Sequence, residues 1–156
     1  MTQRLVQLQT ERQDYETPPA LVAALSAEFG PFEIDLAATE ANRKAARCFT
    51  PEQDSLAQDW TGLVGWLNPP YGRMTGPFVK KASEAKARVV CLLPARTDTA
   101  WFHDYVQGKA KVIRFLRGRP KFLIDGKPVL DPKTGKAASG KFPSMVVVFD
   151  NLEARE

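Results

Sequence analysis

The tetrapeptide Asn68-Pro69-Pro70-Tyr71, directly after the apolar run Leu63-Val64-Gly65-Trp66-Leu67, combines residue types that suit one chemistry: activating a planar exocyclic amine such as adenine N6 for methylation. The lone pair of such an amine is delocalised into its ring, so the nitrogen is a poor nucleophile. Two hydrogen-bond acceptors aimed at the N–H bonds draw that lone pair back. The Asn68 side-chain oxygen and the Pro69 carbonyl are those acceptors, held in a segment whose φ angles the prolines restrict. Tyr71 adds an aromatic face on which a flat base can stack. Asn-Pro-Pro is also ordinary turn chemistry, and an aromatic after a turn often packs on a core. Position favours the site, because a strand-like run feeding a loop puts it at the carboxyl end of a strand, where open α/β sheets bind ligands. A partner-binding Pro-Pro-x-Tyr ligand is excluded, since Tyr71 follows Pro70 directly.

Strands and helices must hold such a loop, and the pattern supplies them. Thr17 followed by Pro18 and Pro19 predicts a helix start, with Thr17 as N-cap and Leu21, Val22, Leu25 and Phe29 at helical spacing before Gly30-Pro31. Residues 32–37 read as a short strand delivering Asp35 near its end, residues 38–47 as a helix, and Cys48-Phe49 as a vestigial strand. Residues 54–60 suit a polar loop or short helix. A strand at 63–67, a helix at 76–87 and a strand at 88–93 then form a right-handed βαβ unit with a parallel sheet. Asp98 or Thr99 caps a helix through Trp101, Phe102 and Val106, where core packing suits Trp101 and Phe102 better than ligand contact. Two more strands are expected at 111–116 and 144–149, separated by a Gly/Lys/Pro-rich excursion at 125–141 that reads as a mobile basic loop or a hairpin.

A chain of 156 residues with 44% hydrophobic content suits one domain, expected at 15–150 between a flexible lead-in at 1–14 and a tail at 151–156. That leaves little room for a separate recognition domain. No apolar stretch approaches the roughly eighteen residues of a membrane span, and the N-terminus lacks a secretory h-region, so a soluble, cytoplasmic protein is expected. Cys48 and Cys91 lie in no Cys-x-x-Cys or Cys/His cluster, which argues against a disulfide framework or a metal site. His103 is the single histidine and has no nucleophile motif beside it, so triad-type hydrolysis lacks support. The net charge of +4 is unevenly spread: residues 108–141 carry ten Lys/Arg against Asp125 and Asp131, leaving twelve basic and sixteen acidic residues elsewhere. A polyanion is the natural partner of such a segment, although a solvated lysine-rich loop would account for Lys127, Lys133 and Lys136.

Four elements follow in order: Thr17-Pro18-Pro19 before a helix, the segment Phe32-Glu33-Ile34-Asp35-Leu36-Ala37-Ala38-Thr39, Asp54-Ser55-Leu56 through Asp59-Trp60, and Asn68-Pro69-Pro70-Tyr71. With Pro94-Ala95-Arg96-Thr97-Asp98, Gly118-Arg119-x-Lys121-Phe122 and Phe142-Pro143-Ser144, the chain resembles the small phage DNA N-6-adenine methyltransferase family over nearly its whole length. That resemblance implies an α/β fold with a Rossmann-like class I methyltransferase sheet and a C-terminal antiparallel strand pair. It also implies S-adenosylmethionine as methyl donor, double-stranded DNA as substrate, a flipped adenine gripped by Asn68, Pro69, Pro70 and Tyr71, no metal, and a host cytoplasmic location for a phage-encoded enzyme. Thr17, Pro18, Asp35 and Ala37 take the positions that hold the methionine part of the cofactor, with Asn68 close by. Asp54 or Ser55 would accept from the cofactor adenine while Leu56 packs on it.

The chain departs from the usual methyltransferase pattern in two ways. Only eighteen residues separate Asp35 from Asp54, too few for a helix, strand and loop, so the second and third strands of the sheet are expected to be lost or vestigial. Ribose binding is left open among Asp54, Glu40 and Glu52. Ala37-Ala38-Thr39 also stands where a glycine-rich turn is common. Arg96, Arg117, Arg119 and Lys121 are the candidates for DNA contact, with salt bridges to Asp98 or Asp125 as the competing reading. Rival functions keep the same scaffold: methylation of RNA or of a protein glutamine amide, or a non-catalytic DNA-binding module.

Overall fold

The computed structural model describes residues 16–124, 126–137 and 142–152. Its strands are β1 (Ile34–Asp35), β2 (Arg47–Cys48), β3 (Val64–Leu67), β4 (Arg88–Pro94), β5 (Val112–Phe115), β6 (Leu123–Ile124), β7 (Lys127–Pro128) and β8 (Ser144–Asp150). Among the described residues two α-helices, α1 (Pro19–Phe29) and α2 (Thr75–Glu84), accompany them, with a π-helical turn at Phe102–Val106 where a helix is expected. Thr99 caps that turn, its hydroxyl accepting the Phe102 N–H at 3.3 Å.

Six strands form one mostly parallel sheet in the order β2-β1-β3-β4-β8-β5. β2, β1, β3 and β4 run parallel, whereas β8 lies antiparallel between β4 and β5. The expected antiparallel strand pair near the C-terminus is therefore present. β6 and β7 form a separate two-stranded antiparallel ribbon, so the described part of the 125–141 excursion includes a hairpin strand, while residues 125 and 138–141 lie outside the described residues. The expected lead-in and most of the tail also lie outside them.

The strand sequences explain the layering. Along β4, Val89, Cys91 and Leu93 join one core cluster with Phe78 and Val79 of α2, and Val90 and Leu92 join the other with Val22 and Leu25 of α1. β8 alternates in the same way, Met145, Val147 and Phe149 against Val146 and Val148. Covering both faces makes these strands near-continuous apolar runs, and it places helices on both sides of the sheet. Gly65 in β3 is required by the packing, because a Cβ there would lie 2.7 Å from Leu36 Cδ1.

Two expectations fail here. Thr17 does not cap α1; Pro18 holds that position with Pro19 as the first helical residue, and the Thr17 side chain is engaged elsewhere. Residues 38–47 are not helical. Asp35 accepts the Lys44 N–H at 3.0 Å, and Thr39 and Asn42 exchange side-chain bonds with each other's backbone N–H, so local side chains satisfy donors that a helix would have used. Among the described residues β2 is the only strand outside β1 in this sheet, in keeping with the short spacing between Asp35 and Asp54.

Candidate active site

The loops leaving β1, β2 and β3 at their carboxyl ends enclose a cavity of about 510 Å³. Its lining includes eight residues singled out from the sequence: Thr17, Asp35, Ala37, Asp54, Ser55, Leu56, Asn68 and Pro70. Pro18, Pro69 and Tyr71 are not among the lining residues, and neither are Glu40 and Glu52, which leaves Asp54 as the ribose candidate on the cavity wall.

Asp35 is only 3% exposed at the end of β1. Its Oδ1 accepts the Ala37 N–H at 3.2 Å and its Oδ2 the Lys44 N–H. Burial outweighs these bonds and pushes the carboxyl up to about 6. A cation entering the cavity would restore the charged form.

Another part of the wall is a tight double turn. Two short 3-10 turns, Pro51–Gln53 and Ser55–Ala57, meet at Asp54, whose φ of 52° is left-handed. Such a conformation costs on the order of 1 kcal/mol for a residue with a Cβ and persists where surroundings enforce it. Here the Lys81 ammonium donates to the Leu56 carbonyl at 2.7 Å and to that of Gln58, and it lies 5.1 Å from the Trp60 ring centroid. Trp60 Nε1 donates to the Ser55 carbonyl at 3.1 Å. Ser55 Oγ is buried without a hydrogen-bond partner among the described residues, although it borders the cavity. An orphaned hydroxyl there fits a polar ligand edge.

The catalytic candidate is held from both ends. Asn68 Nδ2 donates to Thr17 Oγ1 at 3.0 Å, which commits the donor end of the amide and makes Oδ1 its acceptor end. Thr75 Oγ1 donates to the Pro70 carbonyl at 3.1 Å, and Gly72 turns the chain into α2 with a φ of 103°. Tyr71 departs from the expected open stacking face. Its ring is buried in the second core cluster, edge-on to Phe122 at 6.3 Å and to Phe142 at 5.3 Å, and its hydroxyl has no partner among the described residues.

Of the DNA candidates, Arg96 is exposed, with its guanidinium 5.2 Å from the Phe142 centroid, beside the Tyr71 cluster. Arg117, Arg119 and Lys121 are exposed between β5 and β6. Among the described residues no ion pair joins Arg96 to Asp98, and Asp125 lies outside them. Sequence reading missed Thr75, Lys81 and the brace at Trp60. A threonine at the start of the helix was a usable signal for Thr75, whereas Lys81 reaches back across 25 positions and leaves no local trace.

Fold and site together define an α/β protein with a small-molecule-sized cavity at the carboxyl ends of parallel strands and a braced Asn-Pro-Pro loop on its wall. Residues 6–156 match the family described as DNA N-6-adenine-methyltransferase (Dam). A DNA N-6-adenine-methyltransferase of Escherichia phage T1 is 32% identical over 145 residues, covering 85% of this chain and 60% of that protein. One of Haemophilus phage HP1 is 32% identical over 124 residues, covering 76% of this chain and 67% of that protein. A putative methyltransferase, YfdM of Escherichia coli K12, is 35% identical over 63 residues, 36% of this chain and 69% of that protein. The chain belongs to the DNA N-6-adenine-methyltransferase family, and it spans less than two thirds of the T1 relative's length.

Proposed function

We propose that this chain transfers a methyl group from S-adenosylmethionine to the N6 amine of an adenine flipped out of double-stranded DNA. The observation that carries this reading is the Asn68 amide, fixed by Thr17 on the wall of a cavity that also holds Asp35 and the orphaned Ser55 hydroxyl. The sheet is read as a Rossmann-like class I methyltransferase sheet reduced beyond β1, and residues 15–150 as one domain acting in the host cytoplasm.

The donor set fits the cofactor. Asp35 suits its ammonium, and Asp54 or Ser55 suits polar groups of its nucleoside with Leu56 against the ring. S-adenosylmethionine supplies a methyl group already activated on a sulfonium. The protein's work is then alignment and electrostatics: Asn68 Oδ1 and the Pro69 carbonyl accept from the two N–H bonds of the target amine, localising its lone pair and stabilising the positive charge that develops before a proton leaves. Tyr71 would grip the base only after the contact with Phe142 opens. Arg96, Arg117, Arg119 and Lys121 supply charge for the phosphates.

Incubation of the protein with S-adenosylmethionine and mixed-sequence duplex DNA, followed by digestion and mass spectrometry of the nucleosides, tests this directly. N6-methyladenine formed by wild type, and formed with Asn68→Ala at a rate lower by about 10²-fold or more, is the expected result. Cofactor binding without any methylated DNA nucleoside would move the acceptor to RNA or a glutamine amide. Failure to bind cofactor would leave a DNA-binding module.

A further inference from the structure

The segment that leads into the β6–β7 ribbon touches Tyr71 at one end of the Asn-Pro-Pro-Tyr loop and Glu16, the residue before the Thr17 that holds Asn68 at the other. Phe122, 5% exposed, packs edge-on to Tyr71. Its neighbour Leu123 exchanges two backbone hydrogen bonds with Glu16, at 2.8 and 2.9 Å, and the Glu16 carboxylate accepts the Gly126 N–H in the ribbon turn at 3.2 Å. Glu16 directly precedes Thr17, the residue that holds the Asn68 amide, and both border the cavity. Upstream on the same segment lie Arg119 and Lys121, and beyond the turn lie Lys127, Lys133 and Lys136, all exposed. A ribbon with two residues in each strand has little stability of its own. Its order depends on what its ends are fastened to.

We infer that Glu16 and Phe122 are positioning residues that couple DNA engagement to the active site. Phosphates held by the basic segment steady the ribbon and so reinforce the Glu16 bridge behind Thr17, the Asn68 amide and the cavity wall, while Phe122 holds the Tyr71 ring. This rests on the methyltransferase reading above and adds a consequence to it. DNA must tighten cofactor binding, and cofactor must tighten DNA binding by the same factor.

Titration of S-adenosylhomocysteine with and without mixed-sequence duplex, in wild type and variants of matched thermal stability, reads the coupling. In wild type the duplex should tighten the ligand roughly fivefold or more. Glu16→Ala should erase most of that factor, while Glu16→Gln, which keeps an acceptor oxygen for the Gly126 N–H, should retain it. Phe122→Leu should lower kcat on the order of tenfold with duplex affinity unchanged, the loss expected when reacting groups are misaligned and binding is not. A Glu16→Ala protein with the full coupling factor would overturn the inference, as would wild type that binds both partners independently. Wild type that binds neither would overturn the proposed function and this inference with it.

Discussion

Around the cavity the polar groups are already tied down. Asp35 accepts two backbone N–H groups, Lys81 bonds two carbonyls behind the residue 54–56 turn, and the Asn68 amide nitrogen is committed to Thr17. The basic surface is built the other way: Arg96, Arg117 and Lys121 stand exposed and make no ion pair among the described residues. A small ligand gains affinity when its contacts are fixed before it arrives, because little ordering entropy remains to be lost. A polyanion is captured by long, hydrated cations whose counterions are released on contact, and rigidity matters less there. The two halves of the proposed site thus answer two kinds of partner.

The sharpest way to break this comparison is to remove a preorganised acceptor. Asn68→Ala should lower kcat on the order of 10²–10³-fold, the scale of losing one aligned electrostatic group, with cofactor affinity close to wild type. Near-normal turnover would show that the braced amide is not what activates the amine. Lys81→Met tests the brace while leaving every cavity-lining residue itself unchanged. It removes charge-assisted bonds to the Leu56 and Gln58 carbonyls and the contact with Trp60, so the cofactor Kd should rise roughly tenfold, about 1.4 kcal/mol. A Kd unchanged by titration calorimetry would mean that the left-handed Asp54 turn holds itself.

The same contrast explains what sequence could reveal. The Asn68 loop was legible because its prolines restrict φ locally and an apolar strand feeds it. The strands at Arg88–Pro94, Val112–Phe115 and Ser144–Asp150 were legible from equally local apolar patterns, whereas their order in the sheet was not. Thr17 was misassigned as a helix cap because its actual partner lies 51 positions away, and a cap is the nearest use for a threonine before two prolines. Residues 38–47 have helix-forming alanines, but the buried Asp35 carboxylate captures the Lys44 N–H across nine positions. Tyr71 illustrates the limit at the candidate site itself. Its residue type suits stacking, yet only the fold reveals that the ring is already buried against Phe122 and Phe142.

Asp35 allows the comparison to be sharpened by pH. Its carboxyl is raised from 3.8 to about 6, mainly by burial, so the folded chain favours the neutral form. The stability this group contributes is full below the unfolded value and is lost as pH rises through about 6, a loss on the order of 1–3 kcal/mol. Cofactor binding should run oppositely, since the cationic ammonium pairs with the ionised carboxylate and affinity falls as pH drops below about 6. Thermal melts of the ligand-free protein and cofactor titrations from about pH 7 to about pH 5 should slope in opposite directions. Asp35→Asn should flatten both curves. A pH-independent cofactor Kd in wild type would remove Asp35 from the ammonium site.

The smallest expected effect lies on the basic side. Arg119→Ala should weaken DNA binding a few-fold and reduce the slope of log K against log salt by about 1, as expected for one lost phosphate contact. The loss should be uniform across duplex sequences. If it instead concentrates on one sequence while the salt slope stays fixed, Arg119 reads a base edge, and the exposed segment carries specificity as well as charge. If neither slope nor affinity changes, the DNA path runs past Arg96 and the Phe142–Tyr71 cluster instead. In that case the phosphate contacts would lie beside the catalytic loop, and the separation between a braced cavity and a loosely held basic surface would be smaller than the exposed residues 117–121 suggest.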